Sequence, residues 1–185
     1  MADNILSLGD GSSVLNYTHV SLVMSRSHKQ AIVTAVNRDG STVKEIKRKK
    51  DVWYFDPRIK KDDQYGPQLY ESNDLDCGHL VRRLDPVWGD DAEEANEDTF
   101  HFTNCSPRHK NLNQKTWLNL EDYGAKNAKK YGLKVNVFTG PIFRSDDRVY
   151  RGKYKIAAEF WKVVVMVKDD GAFRQPRVSR PRRSS

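Results

Sequence analysis

The chain has 185 residues, with 32 Lys and Arg against 25 Asp and Glu, giving a formal charge of +7. This length suits one compact domain, and 37% hydrophobic residues, including four Trp and seven Phe, supply a real core, which excludes a wholly disordered chain or a coiled coil. No apolar run approaches the roughly 18 residues that span a bilayer, and the start lacks the basic and apolar regions of an export signal, so no membrane association is expected and a cytoplasmic setting is the default.

Residues 1–14 read as an N-terminal segment ahead of the domain. Tyr17 to Met24 and Ala31 to Val36 are β-branched, alternating or apolar runs separated by a polar stretch, which predicts two strands of a hairpin. Asn37-Arg38-Asp39-Gly40 is a turn signal. The basic stretch Lys44 to Lys50 leads into Val52-Trp53-Tyr54-Phe55 and the Asp56-Pro57 break. Residues 60–74 read as a long polar surface loop, of a kind that is often functional. Asp76-Cys77-Gly78-His79 follows, then Leu80-Val81-Arg82-Arg83, then an acidic segment, 89–98, expected to stay away from a polyanion or sit at the edge of its footprint.

Thr99 to Asn104 alternates like a strand. Residues 113–131 predict a helix, with Trp117, Leu120, Tyr123 and Ala128 at helical spacing, Gly132 as its stop, and Lys126, Lys129 and Lys130 at the negative end of its dipole. Lys134 to Thr139 and Phe160 to Val167 predict further strands, so the class is α+β. The last twelve residues hold five Arg and no acidic group, which leaves the preceding 173 residues with 27 basic and 25 acidic ones. Residues 173–185 therefore read as a basic, disordered tail, either a solvated end or a loose electrostatic contact with nucleic acid. Two cysteines, Cys77 and Cys105, are too few for a disulfide scaffold, and the default is two reduced thiols.

On the predicted helix Asn113, Trp117 and Glu121 are successive four-residue steps, which places Asn113 and Glu121 within about 80° of each other on one face, two turns apart. An amide oxygen and a carboxylate are hard donors suited to Mg²⁺, which keeps most of its waters and needs few protein ligands. A histidine facing such an ion, as His79 can, is able to take a proton from water.

These residues resemble the DNA/RNA non-specific endonuclease family. Its ββα-metal (His-Me finger) core carries an Asp-Arg-Gly-His motif and a helix reading Asn-x-x-x-Trp-x-x-Leu-Glu. The second motif is complete here as Asn113, Trp117, Leu120 and Glu121, and the first has one change. Further matches are Arg48 ahead of Phe55 and Asp56-Pro57, the stretch from Asp98 to Pro107, and the stretch from Val137 to Phe143. Together they cover roughly residues 15–172.

The resemblance implies a central antiparallel sheet with a metal-binding helix, and hydrolysis of DNA and RNA phosphodiesters to 5′-phosphate and 3′-hydroxyl ends. His79 would be the general base, and Asn113 the ligand of a single Mg²⁺, with Mn²⁺ as the alternative ion. Glu121 would organise the metal-bound waters or bind the ion directly. Arg48 would steady a phosphate oxygen, with Lys49, Lys50 and Arg82 on the nucleic-acid backbone. A homodimer is also within what the resemblance implies.

Three departures stand beside the matches. Cys77 replaces the family's Arg, Arg108 stands where Gln is usual, and the domain is expected to be shortened after the strand at Phe160 to Val167. They motivate an alternative, an impaired family member that only binds nucleic acid. His19, His28, His101 and His109 read as structural, Trp117 as a core residue, and Asn113 as an N-cap as well as a ligand. A zinc site from Cys77, His79, Cys105 and His109 is disfavoured by its spacing. A Cys77–Cys105 disulfide requires the two motifs to meet at the active site.

Overall fold

The alternation of residues 20–36 folds as expected into two long strands. The computed structural model describes residues 4–109, 127–167 and 177–179. β1 (Leu15–Tyr17) turns back onto β2 (Val20–Met24), and β2 pairs antiparallel with β3 (Ala31–Asp39). Val20, Leu22 and Met24 point into the core at every second position. The single run expected from Tyr17 to Met24 is thus broken in two. The break lies at Thr18-His19, where His19 takes a φ of 60°. Its ring lies 2.8 Å from the Pro86 carbonyl oxygen and stacks on Trp88 at 3.6 Å, which makes it structural.

Residues 60–74 hold short 3₁₀ turns at Lys61–Asp63 and Pro67–Leu69. Tyr65 and Leu69 are buried against Tyr154, and the Gln64 side chain bonds the backbone of Asp56 and Ile59. The stretch runs over the surface as expected, with residues 60–62, 67, 68, 71, 72 and 74 exposed, and Gln64, Tyr65 and Leu69 anchor it in the core. β4 (Leu75–His79) follows. The acidic segment forms α1 (Ala92–Asp98), whose buried positions are Ala92, Ala95 and Asn96. Thr99 to Asn104 is not a strand: Phe102–Asn104 is a 3₁₀ turn, and extended pairing starts only at β5 (Cys105–His109). The Asn104 side chain causes the interruption. Its amide oxygen accepts from the Val81 N–H at 2.9 Å, and its amide nitrogen donates to the Val81 and Thr99 carbonyls at 3.0 and 2.9 Å.

Of the helix predicted over 113–131, residues 110–126 lie outside the described residues. Residues 127–131 are helical and Ala128 is buried. Gly132 ends the helix with a φ of 60°, in the left-handed region that suits glycine at a helix stop. β6 (Lys134–Ile142) pairs with β3, β7 (Arg148–Tyr150) and β8 (Tyr154–Ile156) form a hairpin, and β9 (Glu159–Val167) pairs with β6. Within 173–185, β10 (Arg177–Ser179) pairs antiparallel with β9. Three residues expected to be disordered are therefore ordered by a strand edge that offers backbone partners.

The result is an antiparallel sheet of order β1-β2-β3-β6-β9-β10, with β4 and β5 as a separate two-stranded ribbon. Leu80 packs with Leu22, Met24 and Phe160, while Val81 packs with Val20, Val36 and Val137. Two consecutive residues immediately after His79 are thus inserted into neighbouring parts of the sheet's core. Among the described residues no helix is long and apolar enough to cross a membrane.

Candidate active site and basic cleft

The β4–β5 register sets His79 opposite Cys105, Gly78 opposite Ser106 and Cys77 opposite Pro107. Strand alternation puts Cys77, His79 and Cys105 on one face. The two cysteines form a disulfide across a Cα–Cα distance of 5.5 Å. This overturns the expectation of two reduced thiols, because the two motifs do meet. It also removes both thiolates from the zinc reading. The Tyr70 hydroxyl lies 2.9 Å from Cys105 Sγ.

On the opposite face of the ribbon lies Arg108, 2% exposed, with its guanidinium 4.4 Å from the centre of the Phe160 ring. A Cβ at position 78 would stand 2.8 Å from Arg108 Cδ, so the glycine of the motif is dictated by the side chain beneath it.

His79 is packed between Trp53, with ring centres 4.5 Å apart, and the edge of Phe100 at 4.9 Å. Its Nε2 is buried and has no hydrogen-bond partner among the described residues. Burial lowers the imidazole from its ordinary value to about 3. The Asp51 carboxylate opposes that shift, and the cations of Arg108, Arg48 and Arg83 reinforce it. The ring is therefore neutral at physiological pH.

Trp53 is delivered by the extended segment after the basic stretch. Tyr54 N–H donates to the Phe100 carbonyl at 3.0 Å, and Phe102 N–H donates to the Tyr54 carbonyl at 2.8 Å. This pins the segment beside the 3₁₀ turn. The Arg48 guanidinium grips Asp51 with two bonds, Nε to Oδ1 at 3.1 Å and Nη2 to Oδ2 at 2.6 Å, and that grip holds the Asp51 carboxyl below its usual range. The Arg48 side chain stays 66% exposed.

Arg48, Lys49 and Lys50 line a cleft of about 620 Å³ together with Arg83. The sequence placed Arg82 on the nucleic acid, yet Arg83 lines this cleft and Arg82 does not. Asn96 of α1 bonds the Arg83 carbonyl at 2.8 Å. Glu45 lines the cleft too, as do Glu93, Glu97 and Asp98 of α1, so it carries nearly as many carboxylates as cations. The acidic segment therefore borders the cleft.

A second, shallower groove of about 410 Å³ includes Tyr17, Asp56, Arg58 and His101. Asp56 is closed off: Arg58 donates to it from Nε and Nη2, the Arg58 N–H binds Oδ1 at 2.8 Å, and the Tyr17 hydroxyl makes a short bond to Oδ2. Burial pushes the Asp56 carboxyl up, but the bonds from Arg58 and Tyr17 outweigh it and leave it below the usual range. Burial and the bond to Asp56 push the Tyr17 hydroxyl well up.

His79, Arg48, Asp51 and Arg83 are thus brought together, with Lys49 and Lys50 on the adjoining cleft. Asn113, Trp117 and Glu121 lie outside the described residues. Among the described residues no group of three His, Cys, Asp or Glu side chains is placed to hold a metal. Sequence reasoning missed Asp51, Trp53, Phe100 and Arg83. Only residues 52–55 carried a signal, as an unbroken apolar and aromatic run.

The fold is thus an antiparallel ribbon carrying a half-buried histidine beside a six-stranded antiparallel sheet. The chain superposes with a TM-score of 0.78 on a crystal structure of the EndoG/EndoGI complex, covering 94% of this chain and 75% of that one at 17% identity. This chain belongs to the DNA/RNA non-specific endonuclease family, whose model matches residues 2–183. It is 43% identical over 170 residues to the uncharacterised protein y4fB of Sinorhizobium fredii (strain NBRC 101917 / NGR234), covering 85% of this chain and 26% of that protein. It is 29% identical over 115 residues to nuclease C1 of Cunninghamella echinulata var. echinulata, covering 56% of this chain and 44% of the relative. It is 28% identical over 120 residues to a nuclease of Serratia marcescens, covering 60% and 44%. The chain thus spans less than half the length of these curated relatives.

Proposed function

We propose that the chain is a phosphodiester hydrolase that cuts DNA and RNA internally without sequence preference, with His79 as general base. The observation that carries this reading is the neutral, half-buried His79, whose buried Nε2 has no partner among the described residues, beside a cleft lined by Arg48, Lys49, Lys50 and Arg83. Nε2 takes the proton of an attacking water as its oxygen bonds to phosphorus. The bond to the 3′ oxygen breaks and that oxygen takes a proton from solvent water, leaving a 3′-hydroxyl and a 5′-phosphate. Trp53 and Phe100 fix the ring plane and exclude bulk water from its flank. An imidazole at about 3 is a weak base in the free protein, and an anionic phosphate brought beside it raises its proton affinity. Arg48 is placed to trade Asp51 for a phosphate oxygen, since both are planar acceptors for its two-armed grip. Lys49, Lys50 and Arg83 position the backbone without reading bases.

Asn113 and Glu121 are the residues that would hold Mg²⁺ or Mn²⁺, and the chemistry of this donor set fits a hard cation. Bound there, the ion would supply Lewis-acid stabilisation of charge at the phosphate and the leaving oxygen.

One observation favours a second reading, a protein that binds nucleic acid without cutting it. Position 77, where the family motif has an arginine, is locked in a disulfide and offers no cation to a phosphate. Nicking of supercoiled plasmid separates the two. Wild type with Mg²⁺ is expected to nick, and EDTA, His79→Ala and Asn113→Ala each to abolish nicking. Metal-dependent nicking that survives His79→Ala would remove His79 from the mechanism. Retained DNA binding without any nicking by wild type would favour the binder.

A further inference from the structure

The segment 52–55 alternates in a way the mechanism does not use. Trp53 and Phe55 turn inward, onto His79 and Phe102 respectively. Val52 and Tyr54 turn outward into the basic cleft and are 47% and 55% exposed. Tyr54 is nonetheless not on a loose loop, because its backbone is bonded to Phe100 on one side and Phe102 on the other. A fixed aromatic ring is therefore presented to a cleft lined by Arg48, Lys49 and Lys50, one residue from the side chain that touches His79.

The cleft is lined by four consecutive cations, residues 47–50, next to Glu45, and by the carboxylates of Glu93 and Glu97, four residues apart on one face of α1, next to Arg83. One phosphate backbone can follow the four consecutive cations. A second backbone, which any duplex carries, would meet the carboxylates of α1. A strand held by its phosphates on these cations turns its bases toward the exposed ring, and base–aromatic stacking needs no particular base because each has a π-face.

We propose that Tyr54 is a base-stacking platform that makes this cleft favour unpaired nucleotides over duplex. The proposal rests on the nuclease reading above and names the substrate form selected at the same site. Tyr54 takes no part in proton transfer; it sets where the strand lies next to His79.

The test is equilibrium binding in EDTA of a fluorescein-labelled DNA strand of about 12 nucleotides, its duplex, and an abasic strand of equal length. Tyr54→Ala is expected to weaken single-strand binding roughly 5- to 100-fold and duplex binding less than about twofold. Tyr54→Phe should keep wild-type affinity, and the abasic strand should bind wild type as weakly as the normal strand binds Tyr54→Ala. The salt dependence of binding should be the same in Tyr54→Ala as in wild type, because no phosphate contact is removed. Equal losses on single strand and duplex, or no loss on the single strand, would overturn the proposal. If wild type nicks plasmid but Tyr54→Ala binds normally, the platform fails and the nuclease reading stands. If folded wild type binds none of the probes, both fail.

Discussion

Two aspartate–arginine pairs stand at the two ends of one extended segment, and they differ in everything except chemistry. At one end Asp56 is 1% exposed in its side chain and accepts on both oxygens from Arg58, Tyr17 and backbone. At the other, Asp51 is 32% and its partner Arg48 66% exposed at the rim of the basic cleft. Removing a buried carboxylate with full partners strands those partners and costs stability. An exposed pair contributes little to stability, and its arginine can exchange one acceptor for another. The comparison shows which ion pair belongs to the scaffold and which to the site, although sequence alone reads both as Arg near Asp.

The largest expected change touches neither pair and sets the scale for both. Cys77→Ser with Cys105→Ser removes a cross-link spanning 28 residues of sequence, for which chain entropy gives about 3–4 kcal/mol. Urea unfolding of the double variant should show that loss, and wild type in reductant should match it. An unchanged midpoint would mean that the ribbon is held by its packing alone. Next comes Asp56→Ala, expected to cost about 2–4 kcal/mol because it strands Tyr17 and Arg58; the value is kept below that of a fully buried pair since Arg58 is 42% exposed.

Acid should then separate His79 from the buried Asp56–Arg58 pair. His79 sits near 3 in the folded protein against about 6.5 unfolded, so the unfolded state takes that proton first. Stability should fall as pH drops from about 6.5 toward 3, and be flat above. Asp56, held below the usual carboxylate range, contributes stability that is complete above about 3.9 and is lost as pH falls through its folded value. His79→Gln should therefore flatten the upper part of the acid limb and Asp56→Asn the lower part, read by thermal unfolding across pH. The smallest effect is expected from Asp51→Ala, within about 1 kcal/mol of wild-type stability. Freed from its partner, Arg48 should bind a DNA strand more tightly at low salt. A drop in stability like that of Asp56→Ala would erase the distinction between the two pairs.

Much of this arrangement is legible in the sequence, and the reasons differ by element. The β2–β3 pairing and strands β6 and β9 follow from apolar alternation, and the stop at Gly132 from its conformational freedom. The motif Asp76 to His79 marks the position of His79, the proposed base. The helix α1 is not legible because its buried face is Ala92, Ala95 and Asn96, too small and polar to register as an apolar stripe. The turn at Phe102–Asn104 hides within an alternating run, since only the tertiary bonds of Asn104 to Val81 and Thr99 break the strand. The disulfide needs the β4–β5 register, which joins segments some thirty residues apart, and no local pattern encodes it. Arg82 and Arg83 lie beyond the end of β4, where strand alternation no longer tells which of the two lines the cleft.

The arginine packed under the ribbon extends the motif beyond its four letters. Position 78 can hold only a residue without a Cβ while the Arg108 methylenes fill the space below it. The two positions therefore form a single unit of variation. A larger residue at 78 becomes sterically admissible only when 108 is shortened, and shortening 108 leaves a hollow over Phe160 that a side chain at 78 could occupy. Exchanges at the two sites should be non-additive and of compensating sign, so the permitted changes in the histidine motif are set partly by a strand that contributes no catalytic group of its own.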